Sequence, residues 1–439
     1  MTNSALLRNR LYWMHDSCKG GRVKKHYSEI EQIFEDNDSD YAKQKISGYL
    51  KGVLEHVIKT VPYYSKRGLR PNIEEFPLVN KNIVRSCFKD FISGPYQNKK
   101  LYQITTSGST GTPFTILQNS EKRHRHIADN IFFNNSAGAY LGIPIYYFRV
   151  WNVLNRKSKF KFWIQNIIPV DSIHLTDDNF HLFFERIAEE STPKAFLAYA
   201  STYEAMVKYM ETSNGVPKCN VKAVLSMSES LPELARNKLA HFFQCPVISR
   251  YSNMENGFIA QQCDSNCGEY HINSASFLVE IFDMEKDKPV TMGEWGRIVI
   301  TDYFNYAMPL IRYDTGDIGI LNIKSHCGQK TSVLSKLEGR RVDFINDSDG
   351  NLLSPHVITN TLWKYGEVLQ FQFIQEKAGE YVMRLNVGCL NQFERVPELI
   401  DEMKSYLGKD AEIRIEYVSE IPSLASGKRK KIINLQIGK

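Results

Sequence analysis

The chain has no long apolar run. No segment of its 439 residues approaches the 18 or so consecutive apolar residues of a membrane-spanning helix. It shows no basic, apolar, small-residue leader either, because "MTNSALLRNRLYWMHDSCKG" is broken by charge within its first ten residues. Net charge is scant, only +6, which suits polyanionic small molecules and does not demand nucleic acid. Internal repeats and low-complexity tracts are absent, and a hydrophobic content of 42% excludes long disorder. The eight cysteines, with no leader ahead of them, read as reduced thiols rather than a disulfide framework. A Walker A loop is also missing: "TTSGSTGTPF" (105–114) has no lysine, and Gly427-Lys428 is followed by arginine. That excludes an ordinary P-loop kinase or ATPase. The expectation is a cytoplasmic protein of more than one domain, with no membrane span and no nucleic-acid partner.

What is present is ordered. Residues 1 to about 100 read as largely helical, with "YAKQKISGYLKGVLEHVIKT" carrying apolar residues at helical spacing up to Pro62. From about 101 to 320, strand-like runs such as "PIYYFRV", "AFLAY", "KAVLSM" and "CPVISRYS" alternate with helical stretches. That alternation predicts an α/β architecture with substantial parallel sheet. Near "EGRRVDFINDSDG" the texture changes, and the remainder reads as a small α+β unit. The predicted domains are 1–340 and 341–439.

Four short segments bear on chemistry. "TTSGSTGTPF" is too long and hydroxyl-rich for a simple hairpin of about two to five residues. Its glycines let backbone N–H groups and hydroxyls approach a phosphate, although such loops are also merely flexible. "SRYSNMENG" (249–257) offers Tyr251 as a platform for a base and Glu255 as a Mg²⁺ ligand, or is a plain strand-to-loop junction. "IRYDTGDIG" (311–319) reads as a turn whose Asp317 carboxylate accepts hydrogen bonds from a ribose diol, or as a routine turn. "SGKRKK" (426–431) is a lysine on a glycine loop, a basic patch, or a solvated charge run.

Taken in order, these segments resemble the adenylate-forming superfamily of acyl-CoA synthetases and adenylation domains. "TTSGSTGTP" is similar to its phosphate-loop motif, "YSNME" to its Tyr-Gly-X-Thr-Glu motif and "YDTGD" to its Tyr-X-Thr-Gly-Asp motif. "EGRRVD" resembles its hinge, and "IPSLASGKRKK" its C-terminal lysine motif. "VPYYSKR" and "FPLVNKNIV" further resemble the phenylacetate–CoA ligase branch, within it the CapK-like proteins of capsule and surface-polysaccharide synthesis. The resemblance spans nearly the whole chain.

It implies a large N-terminal adenylate-forming domain of mixed sheets and helices, and a small mobile α+β C-terminal domain. The implied activity is ATP-dependent conversion of a carboxylic acid to an acyl-adenylate and pyrophosphate, followed by transfer to a sugar precursor, an amine or CoA. By the same resemblance Thr106, Ser107, Gly108, Ser109, Thr110 and Gly111 cradle phosphates, and Tyr251 and Asn253 lie at the nucleotide. Glu255 holds Mg²⁺, and Asp317, with Arg340 nearby, takes the ribose. Lys428 bridges the substrate carboxylate and the α-phosphate, offsetting the repulsion between two anions. Residues 150–155 and "VLSMSES" are expected near the acyl pocket. The chain departs from the motifs at Phe114, where many relatives carry lysine, at Ser252 and Met254 beside Glu255, and at Val342 in the hinge.

"CDSNCGEYHI" and "KSHCG" place Cys263, Cys267, His271, His326 and Cys327 in two short segments. Structural Zn²⁺ takes four Cys/His ligands from such pairs of segments. The resemblance gives Cys263, His271 and Cys327, with Cys267 or His326 as the fourth ligand. The alternative is a set of unligated thiols. Two further functional readings stand beside adenylation: a conventional aryl- or fatty-acid CoA ligase, and a non-catalytic nucleotide- or nucleic-acid-binding protein using "NRKSKFKFW" and "KRKK".

Overall fold

The computed structural model describes the chain apart from residues 1, 107–113, 152–157, 173–175, 214–216, 264–266, 324, 329–330, 341–343, 354, 389–392, 423–428 and 437–439. The side chains of Thr106, Arg340, Leu352 and His356 are likewise outside the description.

The N-terminal part is helical, as the periodicity predicts. Helices α1 (Asn3–Cys18), α2 (Arg22–Glu35) and α3 (Asp40–Thr60) lead to two short ones, α4 (Pro62–Ser65) and α5 (Lys81–Ser86). Thr2 and Ser39 accept hydrogen bonds from the first turns of α1 and α3. Pro62 sits in the first turn of α4, where its missing N–H costs nothing. A two-stranded antiparallel hairpin follows, β1 (Tyr102–Thr106) and β2 (Phe114–Gln118), and carries the hydroxyl-rich loop at its tip.

After α6 (Ser120–Ser136) the α/β alternation begins: β3 (Ile145–Arg149), α7 (Lys159–Gln165), β4 (Ile167–Asp171), α8 (Asp177–Ala188), β5 (Lys194–Tyr199), α9 (Ala200–Thr212), β6 (Val221–Met227), α10 (Glu233–Phe243) and β7 (Val247–Asn253). The chain then turns to antiparallel pairing with β8 (Gly257–Gln262), β9 (Tyr270–Ile272), β10 (Phe277–Phe282), β11 (Trp295–Asp302), β12 (Tyr313–Asn322) and β13 (Val333–Arg340). All but the hairpin join one eleven-stranded sheet of order β10-β11-β12-β13-β9-β8-β7-β6-β5-β3-β4. Strands β4, β3, β5, β6 and β7 pair in parallel, and β7 pairs with β8 antiparallel. Strand β7 is therefore where the two halves of the sheet meet. The apolar side chains of α8, α9 and α10 cover one face of the parallel half with Tyr146, Phe148 and Phe196.

The C-terminal part has its own core, including Phe373, Met383, Leu399 and Leu407. A small ribbon, β14 (Ile345–Asn346) with β15 (Leu352–Leu353), precedes α11 (Pro355–Leu362), β16 (Gln370–Lys377), β17 (Glu380–Asn386), α12 (Val396–Leu407), β18 (Glu412–Tyr417) and β19 (Ile432–Asn434). Its four-stranded sheet has the order β18-β17-β16-β19. This is the α+β unit that the change of texture predicts.

Candidate functional site

The tight turn from β7 to β8 builds the first part of the site. Asn253 Oδ1 accepts the backbone N–H of Asn256 at 2.7 Å, so Asn253 shapes the turn. Gly257 has φ +101°, and a Cβ there would lie 2.5 Å from His126 Nδ1. Glycine alone fits that position without displacing His126. The turn directs Glu255 inward, where it is 3% exposed. Its Oε1 lies 2.8 Å from Lys81 Nζ and accepts a hydrogen bond from the Tyr313 hydroxyl at 3.2 Å. Burial and the Glu255 charge push Tyr313 well above the ordinary tyrosine value, so it stays a neutral donor.

Lys81 was not singled out by sequence reasoning. It arrives because residues 79–81 run beside β12: Val79 N–H donates to Arg312 O at 3.0 Å, and Asp314 N–H to Val79 O at 2.8 Å. Asn80 then caps α5 by accepting from the N–H groups of Asn82 and Ile83. Lys81 Nζ also lies 5.9 Å from the ring centre of Phe114, the residue that stands where many relatives carry a lysine.

The ribose motif is not a turn. "YDTGD" lies within β12, which carries register shifts at Asp317 and opposite Arg297 and Val299 on β11. Gly316, at φ +80°, lets the strand bulge. Composition misleads here because Gly and Asp mark bulges as well as turns. The bulge brings Asp317 Oδ2 within 2.7 Å of the Tyr251 hydroxyl, with Thr315 Oγ1 at 3.3 Å. Burial first, and then the Asp317 charge, hold Tyr251 far above the usual tyrosine range. Asp317 pairs across the ladder with Arg340. Asp317, 66 residues beyond Tyr251, is thus joined to the Tyr251–Glu255 segment around the sheet junction through Tyr251–Asp317 and Tyr313–Glu255. Thr106 ends β1 at the base of the loop. Ser107, Gly108, Ser109, Thr110, Gly111 and Lys428 lie outside the described residues.

The residues after Lys428 are placed. Arg429 Nε donates to Ile421 O at 2.9 Å, and Lys431 forms an ion pair with Glu204 on α9. Lys208, one turn along α9, donates to Val368 O and lies 5.7 Å from the Trp363 ring centre. The lysine motif therefore borders a contact between the two domains.

A second cluster sits at the far side of β8. Ligand atoms of Cys263, Cys267, His271 and Cys327 all lie within 4.8 Å of one another. The Cys263 and Cys267 sulfurs are 3.1 Å apart, and Cys327 Sγ is 3.4 Å from His271 Nε2. His271 Nδ1 is hydrogen-bonded to Thr331 Oγ1 at 2.7 Å, which fixes the ring. His326 instead reaches Glu269 at 2.7 Å and is 81% exposed, so Cys267 completes the set. Three thiols and one imidazole are the donors that Zn²⁺ prefers.

Comparison with known proteins fits this geometry. Residues 345–435 match the CapK C-terminal domain family. The chain is 24% identical to Protein CapK of Staphylococcus aureus over 431 residues, 94% of this chain and 93% of that one. It is 31% identical to a phenylacetate-coenzyme A ligase of Thermus thermophilus over 88 residues, 20% of each chain. Among solved structures it is similar to 2-hydroxyisobutyryl-CoA ligase in the postadenylation state with a bound acyl-AMP, with a TM-score of 0.71 at 15% identity over 90% of this chain and 89% of that one. The same ligase in the thioesterification state, with CoA, gives 0.57 at 15% identity over 89% and 90%. The fold is that of adenylate-forming ligases, and the resemblance to their CapK-like branch holds.

Proposed function

We propose that this chain is an ATP-dependent, adenylate-forming ligase that activates a carboxylic acid. The observation that carries the reading is the meeting of Tyr251, Asp317 and Glu255 at the sheet junction, beside the hairpin that bears the hydroxyl-rich loop. In the proposed reaction a substrate carboxylate oxygen attacks the α-phosphorus of ATP. An O–P bond forms, the bond to pyrophosphate breaks, and an acyl-adenylate remains. The acceptor then attacks the acyl carbon and AMP leaves.

This chain's residues divide the work. Asp317, oriented by the Tyr251 hydroxyl, receives the ribose. Backbone and hydroxyls of 106–111 receive the phosphates. Glu255 supplies a hard oxygen donor of the kind Mg²⁺ takes, and would exchange Lys81 for the ion on binding it. Bound there, the ion would neutralise charge on the phosphates. Lys428 brings the two anions together, and movement of the C-terminal domain then withdraws it and admits the acceptor. Cys263, Cys267, His271 and Cys327 would hold a Zn²⁺, and its role would be structural, since four protein ligands leave no open position.

The acceptor is a sugar precursor or an amine, as the resemblance to the CapK-like branch implies. A CoA ligase is the second reading, favoured by the likeness to CoA ligases. No helix among the described residues is long and apolar enough to cross a membrane. The test is ATP–pyrophosphate exchange across amino, hydroxy, aryl and fatty acids, with wild type and Lys428→Ala. Exchange that depends on one acid class and is lost in the variant supports adenylation. No exchange with any acid, in wild type and variant alike, sinks it, whereas equal exchange in both sinks only the role given to Lys428. A thioester product with CoA present would select the second reading.

A further inference from the structure

The parallel half of the sheet ends in a row of four side chains. Tyr147 pairs with Leu197, Leu197 with Leu225 and Leu225 with Ile248, across β3, β5, β6 and β7. Strand pleat alternates faces, so two residues further on Arg149, Tyr199, Met227 and Arg250 share one face at the carboxyl ends. The row spans three strand spacings, roughly 14 Å. The opposite face, with Phe148 and Ala198, is core. Carboxyl ends of parallel strands are where open α/β sheets bind ligands. The residue after Arg250 is Tyr251, already placed at the nucleotide.

Arg250 is 9% exposed, and its partners are neutral. Nε donates to Gln261 Oε1 at 2.9 Å and Nη2 to Asn134 Oδ1 at 2.6 Å, with the Phe258 ring centre 5.2 Å away. Elsewhere in the sheet Arg297 and Arg312 pair with carboxylates. Among the described residues no carboxylate pairs with Arg250, whereas Arg149, at the other end of the row, stands opposite Asp171 on β4. Glu229, two residues beyond Met227, accepts from Ser201 N–H and Oγ at 3.0 and 2.8 Å. Burial pulls Arg250 down to about 10, which leaves it charged at neutral pH. A buried guanidinium held by amides is fixed but not neutralised. The surroundings are also built as a site. Tyr147 reaches Met227 Sδ at 3.7 Å and meets the Trp151 ring edge-on at 5.2 Å, and Ser228, just after Met227, is held at φ +68°.

We propose that this row is the floor of the acyl site, and that the acid it takes carries a second anionic group, received by Arg250. The class is a dicarboxylic acid or its hydroxy or amino derivative. The assignment rests on the adenylation reading and names its substrate. A purely hydrocarbon acid would bury against an un-neutralised cation, whereas a second carboxylate forms charge-assisted hydrogen bonds with it.

The test is calorimetric binding to the full chain, saturated with Mg²⁺ and a non-hydrolysable ATP analogue. The probes are linear α,ω-dicarboxylates of about three to eight carbons and their monocarboxylates of equal length. At the best length the dicarboxylate is expected to bind at least about tenfold more tightly, a difference of about 1.4 kcal/mol. Arg250→Gln should remove that preference, and Arg250→Lys should keep part of it. Equal or tighter binding of monocarboxylates, or no binding of any dicarboxylate, overturns the assignment. Neither outcome touches the adenylation reading, which fails separately if the nucleotide analogue itself does not bind. The wild-type comparison stands even if Arg250→Gln does not fold.

Discussion

Lys81 Nζ and Glu255 Oε1 meet at 2.8 Å, the lysine 35% exposed and the carboxylate 3%. A buried carboxylate stays ionised only if opposite charge and hydrogen bonds offset its lost hydration. Lys81 and the Tyr313 hydroxyl supply these. Lys81→Met should therefore leave Glu255 without its charge partner, with partial rescue by Lys81→Arg. Stability should fall by about 1–3 kcal/mol, less than for a fully buried pair because Lys81 reaches solvent. Urea unfolding of the three proteins checks this, and an unmoved midpoint in Lys81→Met refutes the role given to Lys81.

The ion pair between Glu204 and Lys431, with Lys208 against Val368 and Trp363, ties α9 to the C-terminal domain. Burial raises the Glu204 carboxyl, and the Lys431 ammonium opposes that rise. Burial pulls Lys208 down to about 8 from 10.5, opposed by Glu204. A lysine depressed in the docked state penalises docking while it is charged in both states. That penalty is fully present below pH 8 and is relieved as pH rises from about 8 towards 10.5. Docking should tighten over that window. Lys208→Met should flatten the trend, and Glu204→Gln should weaken docking about tenfold by leaving Lys431 unpaired. A fluorophore pair across the two domains reads both. Unchanged transfer efficiency in Glu204→Gln would show that other contacts hold the domains.

Much of this was legible in the sequence because the motifs are local. The hairpin loop, the turn bearing Glu255 and the C-terminal unit each announce themselves in a few residues. Contacts made by pairing were not legible. Tyr251 and Asp317 meet only because β12 bulges and the antiparallel half folds back, and "YDTGD" reads as a turn until its ladder partners are known. Lys81 in "VNKNIV" looks like any exposed helix start, and nothing local points it at Glu255. Arg250 reads as one residue of a strand. Its lack of a carboxylate partner is a property of Gln261 and Asn134, which neighbour it only in three dimensions.

The sulfur cluster makes a choice between two candidate ligands testable. His326 faces Glu269, away from the Cys263, Cys267, His271 and Cys327 set. Purified protein should carry about one zinc per chain by elemental analysis. His326→Ala should keep it, and Cys267→Ser should lose most of it, because removing a ligand from a closed four-ligand site forfeits much of the metal's binding energy. Metal loss should lower thermal stability without abolishing nucleotide binding, since the cluster lies beyond β8 from Glu255. Zinc retained in Cys267→Ser and lost in His326→Ala would reverse the assignment.

His26 should govern part of the acid stability. It is 3% exposed, and neither ring nitrogen has a hydrogen-bond partner. Burial first, then the nearby Arg125 charge, depress it from 6.5 to about 3. Glu121 lies 3.0 Å from Nε2, but its side chain is 46% exposed, so solvent screens the attraction that would favour protonation. A base whose folded value is depressed contributes stability that is complete above its unfolded value of 6.5 and is lost as pH falls from there towards 3. The loss approaches about 1.4 kcal/mol per pH unit in the middle of that window. Carboxylates add their own slope at lower pH, so the informative quantity is a difference. Urea midpoints of wild type and His26→Phe, taken at half-unit steps from about pH 7 to about pH 4, should converge or cross as the wild type weakens faster. The phenyl ring keeps the edge-on packing against Phe304, whose ring centre is 5.5 Å from that of His26, without adding a titrating group. Parallel midpoint curves would mean that His26 takes up its proton in the folded state at an ordinary pH.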